Sequence, residues 1–395
     1  MEFKIKQTVL KEELGFIQGV VERKTTIPVL SNILIESIGE NEIRIVGTDL
    51  DCTIRCDADA EIIKGGSICI QARKLFDIVR ALAPGDVHFK KEDNEWVNMK
   101  SGYATYRLAG VSREQFPEIP QFKSVPMKLP AETFSYFITN TAFAITNEQS
   151  RFTLSGAKFI LGSGSAKMVT TDGHRLAYVE RAVDDTEATM DTLIPKKALL
   201  ELVKLSRGEG DVAFGEDQNH IYFETEGRLL ITRKLGGQFP NYEMVMPKDN
   251  DHSVTFDLEE MRNAVRRMSL IADERNRSIR ITVRKNEIEV TAQSSEEGEG
   301  REIVQAEYEG EEIQLGFNWQ YLLEFLTNAA TGDIEMAAET SNDVKETDGD
   351  KVRVREGRAP LRITFEFKDA NAQTQMSIAG ETTYDYKYIV MPLRI

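Results

Sequence analysis

Asn41–Asp49 reads NEIRIVGTD, Ser165–Gly173 reads SAKMVTTDG, and Asn286–Ser294 reads NEIEVTAQS. Each stretch alternates apolar and polar residues, the period of a strand with one buried face, and each runs into small or turn-forming residues. Thr48-Asp49 recurs as Thr171-Asp172, 123 positions on, and Phe116-Pro117 recurs as Phe239-Pro240 at the same spacing. A helical segment also recurs: ARKLFDIVRAL from Ala72, PKKALLELVKL from Pro195, and FNWQYLLEFLTNA from Phe317. Each is closed by a Gly-Asp turn, at Gly85-Asp86-Val87, Gly210-Asp211-Val212 and Gly332-Asp333-Ile334. A Gly-Asp pair alone is common turn chemistry. The shared order and near-constant offset make these three copies of one unit.

Each copy opens with an amphipathic helix. KEELGFIQGVVER puts Leu14, Ile17, Val20 and Val21 on one face, and AETFSYFITNTAFAITN does so with Phe134, Phe137, Ile138 and Phe143. DLEEMRNAVRRMSLIADER uses Leu258, Met261, Val265, Met268 and Ile271. Helices separated by alternating strands predict an α+β fold of three similar domains, each with two helices and antiparallel sheets. The Pro-containing stretches place the domains at 1–125, 126–250 and 251–395. The third is longer, and its surplus, SNDVKETDGDKVRVREGRAP and KDANAQTQ, reads as solvated hairpin loops.

Three cysteines, Cys52, Cys56 and Cys69, and four scattered histidines do not make the paired clusters of a zinc site or a disulfide framework. No metal or cofactor is expected. No apolar run approaches the roughly 20 residues of a membrane span, and MEFKIKQTVLKEEL lacks the core of a secretory signal. A cytoplasmic chain without a membrane partner is the expectation.

With 49 Lys+Arg against 65 Asp+Glu the formal charge is −16, which by itself argues against nucleic acid. The bases are segregated, however. Arg73, Lys74 and Arg80 fall on one second helix; Lys196, Lys197, Lys204 and Arg207 fall on the next. Arg262, Arg266, Arg267, Arg275 and Arg277 are read on the third copy's first helix, and Arg23-Lys24 follow the first helix of the chain. Basic helices on an acidic protein suit a phosphate backbone, and no base-reading motif is present. A solvated helix face is the plainer reading of any single lysine.

Asp172 and His174 in VTTDGHRLAYVE invite a catalytic reading, but no nucleophile elbow accompanies them and Asp49, their counterpart, has no histidine. GSGS at Gly162–Ser165 lacks the Lys-Ser/Thr of a phosphate loop and reads as a turn. The chain ends in KYIVMPLRI, an apolar terminus suited to a last strand and to lining a groove for short apolar peptides.

TTIPVLSNILIE, GTDLD, ARKLFDIVRAL, TDGHRLA, QFPNYEMVMPK, GFNWQYLLEFL and the terminal VMPLRI together resemble the bacterial replicative clamps, the beta subunits of DNA polymerase III. The likeness runs in order over nearly the whole chain. It implies a non-enzymatic processivity factor: a head-to-tail homodimer closing a ring around double-stranded DNA, without sequence preference. It also implies a pocket for peptide motifs of the replicative polymerase, the clamp loader, translesion polymerases, mismatch repair proteins and ligase. The pocket would use Leu154, Thr171, Gly173, His174, Arg175, Leu176, Pro240, Val245, Ile389 and Met391. Its second part would use Arg151, Phe152, Asn318, Tyr321, Pro392, Leu393 and Arg394. Phe152-Thr153 stands where other clamps can carry paired tyrosines, and Met244 where an arginine occurs. The DNA-facing positions implied are Lys24, Arg73, Arg80, Lys196, Lys197, Arg266 and Arg275. The seam between subunits would join Lys74, Tyr106 and Leu108 to Leu270, Ile271, Glu296 and Glu297. The readings set against this one are a three-domain interaction scaffold that never touches DNA, and a hydrolase built on Asp172 and His174.

Overall fold

One order of elements is written three times along the chain. The first third runs β1 (Glu2–Lys6), α1 (Gln7–Ile17), β2 (Asn32–Ile38), β3 (Glu42–Thr48), β4 (Cys52–Asp59), β5 (Glu61–Lys64), β6 (Ser67–Gln71), α2 (Ala72–Ala81), β7 (Asp86–Lys91), β8 (Val97–Ser101), β9 (Ala104–Leu108) and β10 (Gly110–Val111). The middle runs β11 (Met127–Pro130), α3 (Ala131–Thr141), β12 (Gly156–Gly162), β13 (Ser165–Thr171), β14 (Arg175–Ala182), β15 (Met190–Pro195), α4 (Lys196–Ser206), β16 (Asp211–Glu216), β17 (His220–Thr225) and β18 (Arg228–Arg233). The last runs β19 (His252–Asp257), α5 (Leu258–Met268), β20 (Ser278–Arg284), β21 (Glu287–Ser294), β22 (Gly298–Glu307), β23 (Ile313–Asn318), α6 (Trp319–Thr331), β24 (Arg362–Phe367), β25 (Thr374–Ile378) and β26 (Tyr384–Val390). This computed structural model describes residues 1–21, 26–121, 127–148, 150–184, 188–206, 209–331, 360–380 and 382–394. The loop SNDVKETDGDKVRVREGRA therefore lies outside the described residues. KDANAQTQ is the expected turn between β24 and β25, where Asp369 accepts from the amides of Asn371 and Ala372.

Local chemistry sets the helix ends. Asp257 caps α5 by accepting from the Glu260 amide at 2.8 Å; Glu259 and Glu260 follow in the first turn, Arg266 and Arg267 in the last. Leu258, Met261, Ala264, Val265 and Met268 form its buried stripe. Arg275 and Arg277, expected on this helix, lie beyond it. Asp273 draws the amides of Arg275 and Asn276 onto its carboxylate, a turn that competes with helical bonding. α1 starts at Gln7, four residues before the expected Lys11. The Gln7 side-chain amide donates to the Val79 carbonyl at 2.7 Å and its backbone amide to Gly85 at 2.8 Å.

The strands pair antiparallel. Their orders are β5-β1-β7-β8-β9, then β10-β6-β2-β3-β4-β18-β17-β16-β11, then β15-β12-β13-β14-β26-β25-β24-β19-β22-β21-β20-β23. Two of these sheets cross repeat boundaries: β4 of the first copy pairs β18 of the second, and β14 of the second pairs β26 of the third. Contacts accordingly divide the chain into two compact units, Met1–Ser135 with Ile194–Leu235 and Tyr136–Leu193 with Gly236–Ile395. Repeats and compact units thus partition the chain differently.

Aromatic rings fill both interiors. In the first unit Phe3 stacks on Phe89 at 4.8 Å, and Phe134 meets Phe214 and Phe223 edge-on at 5.3 and 5.8 Å. In the second, Phe325 stacks on Tyr388 at 4.9 Å. Each fully buried ring contributes about 1.5–3 kcal/mol from apolar burial. Cys52, Cys56 and Cys69 are buried free thiols of the first unit.

Candidate functional site

The Thr-Asp turn that marked the repeat is built by the same hydrogen bonds in the first two copies, and the third keeps only the amide-accepting part. In the second copy the Thr171 hydroxyl donates to the Arg175 carbonyl and accepts from the Gly173 amide. Asp172 Oδ1 accepts from the amides of His174 and Arg175, at 2.9 and 3.1 Å. In the first copy Thr48 treats Cys52 and Leu50 alike, and Asp49 Oδ1 accepts from the amides of Asp51 and Cys52. In the third, Ser294 stands at the aspartate position and its Oγ accepts from the amides of Glu296 and Glu297. The returning strand closes on the turn as well. The Met391 amide donates to the His174 carbonyl at 3.0 Å, as Arg233 does to Asp51 at 2.8 Å.

What distinguishes the second copy is Arg175. It is buried, and its guanidinium donates to Asp172 at 3.0 Å, to Glu324 at 2.5 Å and to the Phe143 carbonyl at 2.7 Å. The rings of Tyr321 and Phe143 flank it at 4.4 and 5.4 Å. Three charge-assisted bonds between two carboxylates and a carbonyl compensate the desolvated cation. Arg175 is therefore a floor that ties α6 to the turn. Tyr388, fully buried, donates to the Tyr321 carbonyl at 3.1 Å and locks α6 to β26.

Above this floor the expected pocket residues of the second unit converge. Leu176 and Ile389 face each other in register and are buried, as is Leu154. Arg151 reaches the turn by donating to the Asp172 carbonyl at 2.8 Å. Leu393 pairs with Gly316 through an amide-to-carbonyl bond of 2.8 Å, which lays the terminus beside Asn318 and Tyr321. Pro240 and Val245 flank the turn of Tyr242, whose ring lies 6.0 Å from Tyr178. His174, Pro240 and Arg394 are exposed, Pro392 is half-buried, and Phe152, Met244 and Met391 show 55, 79 and 41% of their surface. Phe152, Met244 and Met391 are thus the exposed large apolar side chains among these positions. Asp172 directs its carboxylate to Arg175 and two amides, not to the His174 ring, so the general-base pair is not assembled.

Comparisons with known proteins agree over the whole chain. The DNA polymerase III beta subunit N-terminal, central and C-terminal domains match residues 1–120, 128–241 and 243–353. The beta sliding clamp of Pseudomonas putida is 32% identical over 348 residues, 87% of this chain and 94% of the relative. That of Chlamydia pneumoniae is 30% identical over 331 residues, 83% of this chain and 90% of the relative.

The chain belongs to the DNA polymerase III beta subunit family.

Among solved structures, the DNA polymerase III subunit beta of Pseudomonas aeruginosa superposes with a TM-score of 0.87 at 28% identity, covering 100% of both chains. The Bacillus subtilis sliding clamp has the same fold, with a TM-score of 0.87 at 24% identity.

Within this clamp-family chain, the basic positions named above differ in their engagement. In the first unit, Arg73 and Arg80 lie on α2 on either side of Asp77, at 3.9 and 3.5 Å. Lys197 bonds Asp49 and the Val20 carbonyl, which commits it to the first junction turn, and Lys196 precedes it at the start of α4. In the second unit Arg266 and Arg275 are exposed and make no ion pair among the described residues. Lys24 lies outside the described residues. Of the seam positions, Tyr106 and Leu108 lie on β9, the edge of the five-stranded sheet, and Lys74 is exposed on α2. Leu270 is 75% exposed, Ile271 is half-buried next to it, and Glu296 and Glu297 form the turn entering β22.

Sequence reasoning missed Glu324 and Tyr388 as supports of Arg175, and read Phe143 as part of a helix face, whereas it lies in the 3-10 turn Ala142–Ala144 beyond α3. Their only signal is the repeat itself: an arginine stands where the first copy has buried Cys52, so it needs buried partners. No helix among the described residues is long and apolar enough to cross a membrane.

Proposed function

We propose that this chain is a processivity clamp without catalytic residues of its own. Two copies join head to tail into a cytoplasmic ring that encircles duplex DNA, and each copy tethers the replicative polymerase through the groove beside Thr171–Leu176. Three clamp domains, 1–125, 126–250 and 251–395, supply the six segments of the ring.

The observation that carries this reading is an unfinished repeat. β4 pairs β18 and β14 pairs β26, so each copy offers its fourth strand to the last strand of the next copy. β22 is the third-copy equivalent; it pairs β21 along its length, but meets β19 only at Ala306 and Glu307, leaving 298–305 with an open edge. β9, the equivalent of β18, ends its sheet. A third junction between β22 of one copy and β9 of another satisfies both edges and closes the ring. Arg73, Arg80, Lys196, Lys197, Arg266 and Arg275, with Lys24, are the bases assigned to the DNA-facing surface, where contacts to phosphate are sequence-independent. The clamp loader, translesion polymerases, mismatch repair proteins and ligase are assigned to the same groove.

Truncation after Val390 tests the groove. It removes the exposed Met391 and the Leu393–Gly316 bond while leaving β26 paired along β14. Binding of the polymerase should fall at least about tenfold while the dimer mass is unchanged. Full polymerase binding by the truncated dimer would contradict the assignment.

A further inference from the structure

The exposed face of α1 borders an open groove. Thr8, Lys11, Glu12 and Gly15 follow one another at helical spacing along that face, and all four are exposed. Phe16 of the same helix and Phe76 of α2 are half-buried beside them. Together with Lys204 of α4 these residues line a groove of about 450 Å³, within the range of small-ligand sites. All of them belong to the first unit.

Gly15 keeps the groove open. A Cβ added there would meet only the edge of the Phe76 ring, at 3.9 Å, which is ordinary contact. Packing within the chain therefore does not require glycine, and glycine inside a helix is less stable than alanine. Counted from the first residue of each opening helix, the same place holds Thr139 in α3 and Arg266 in α5. The first copy is the one without a side chain there.

The polar groups around the groove favour an anion. Glu12 is the one acid among the described lining residues, and it is bonded to Arg228 at 3.0 Å. Arg228 and Arg80 lie over the Phe16 and Phe76 rings, at 4.4 and 5.6 Å, and are held by Glu13 and Asp77. Lys204 bonds Glu201 at 2.7 Å but is 58% exposed, and an ammonium has donors beyond that one bond. Lys11 makes no ion pair, and the Thr8 hydroxyl no hydrogen bond, among the described residues. The open donors of the groove are thus those of Lys11, Lys204 and Thr8, beside two phenyl rings.

We infer that this groove takes one unstacked nucleotide of single-stranded DNA: the base against Phe16 and Phe76, the phosphate on Lys11 and Lys204 with the Thr8 hydroxyl. The inference rests on the reading that α2 and α4 face DNA. A nucleotide couples a flat ring to an anion, and a phenyl ring beside lysines accepts any base by stacking. Duplex DNA keeps its bases stacked and offers the groove phosphate alone. The groove therefore distinguishes single-stranded stretches within the ring, which contacts to duplex phosphates do not.

The test uses the full-chain dimer and a short fluorescein-labelled oligothymidylate, whose bases stack weakly on one another, followed by anisotropy at low salt. Phe76→Ala should weaken binding at least about tenfold, the loss of one base stack. Lys11→Gln should weaken it several-fold and flatten its salt dependence. Gly15→Leu fills the groove with a better helix former; it should melt no lower than the parent, lose the strand and still be retained on nicked circular duplex. Truncation after Val390 should leave strand binding unchanged. Full strand binding by Gly15→Leu, equal binding of a duplex of the same length, or displacement by thymidine monophosphate as readily as by unlabelled strand would each overturn the inference. A parent that stays on circular duplex yet binds no strand overturns the groove alone, whereas a parent that is not retained on the circle overturns the reading beneath it.

Discussion

Gly173 and Leu50 occupy the same place in successive repeats, and both hold a positive φ, +89° and +81°. A left-handed backbone costs an L side chain about 1–2 kcal/mol, yet Leu50 bears it, so φ alone does not demand glycine at 173. The close contact adds to that cost, although it falls on the far end of a flexible side chain. A Cβ on Gly173 would lie 2.8 Å from the Arg151 guanidinium that donates to the Asp172 carbonyl. Gly173→Ala should therefore lower stability by about 1–2 kcal/mol and loosen Arg151, measured by urea unfolding of the two forms. Leu50→Gly should stabilise by up to about 1 kcal/mol, because Leu50 is 47% exposed and little packing is lost. The thiols give a second check. Burial pushes Cys69 up to about 11 and Cys52 and Cys56 well above the ordinary thiol range. At pH 8 all three should stay unreactive toward a disulfide reagent in the folded protein and react together on unfolding. Rapid reaction of one thiol in the native state would contradict the burial.

At the scale of elements, one buried arginine fastens α1 to β18 in the first unit. Arg228 donates to both oxygens of buried Glu13, at 2.9 and 2.7 Å, and to Glu12 and Glu226, with the Phe16 ring 4.4 Å away. Removing one member strands a charge in the interior. Glu13→Gln or Arg228→Met should each cost about 3–5 kcal/mol, and replacing both by apolar residues should cost less than the sum. Thermal and urea melts of the cycle read this directly; additive losses would mean the two residues act apart. Helix faces and strand alternation were legible from period alone, because Leu258, Met261 and Val265 must share a face whatever they pack against. Strand partners were not. β14 and β26 are about two hundred residues apart, and nothing local in RLAYVERA or YDYKYIV names the other. Arg175 was legible as part of a motif, but an arginine reads as surface until Asp172, Glu324 and the Phe143 carbonyl are brought to it. The likeness to a family supplied the groove's membership; the hydrogen bonds supply its reason.

At the scale of the whole molecule, the repeat predicts the register of the third junction. Leu230 stands opposite Ile54 and Thr232 opposite Cys52 where β18 meets β4. Carried through the hairpins β8–β9 and β21–β22, the same register sets Tyr106 against Gly300 and Arg107 against Glu299. Arg107→Cys with Glu299→Cys should give a dimer covalently closed at both seams under mild oxidation, seen as one slow band without reductant; pairing shifted by one residue would leave it monomeric. That closed dimer permits the most direct test of encirclement. The parent clamp is loaded on nicked circular DNA with its loading ATPase, and the complex is then cut once with a restriction enzyme. A topological ring stays on the circle through a high-salt gel filtration and slides off the linear form, and the oxidised double-cysteine dimer cannot load at all. Equal retention on circle and line, or loading of the sealed ring, would contradict the account.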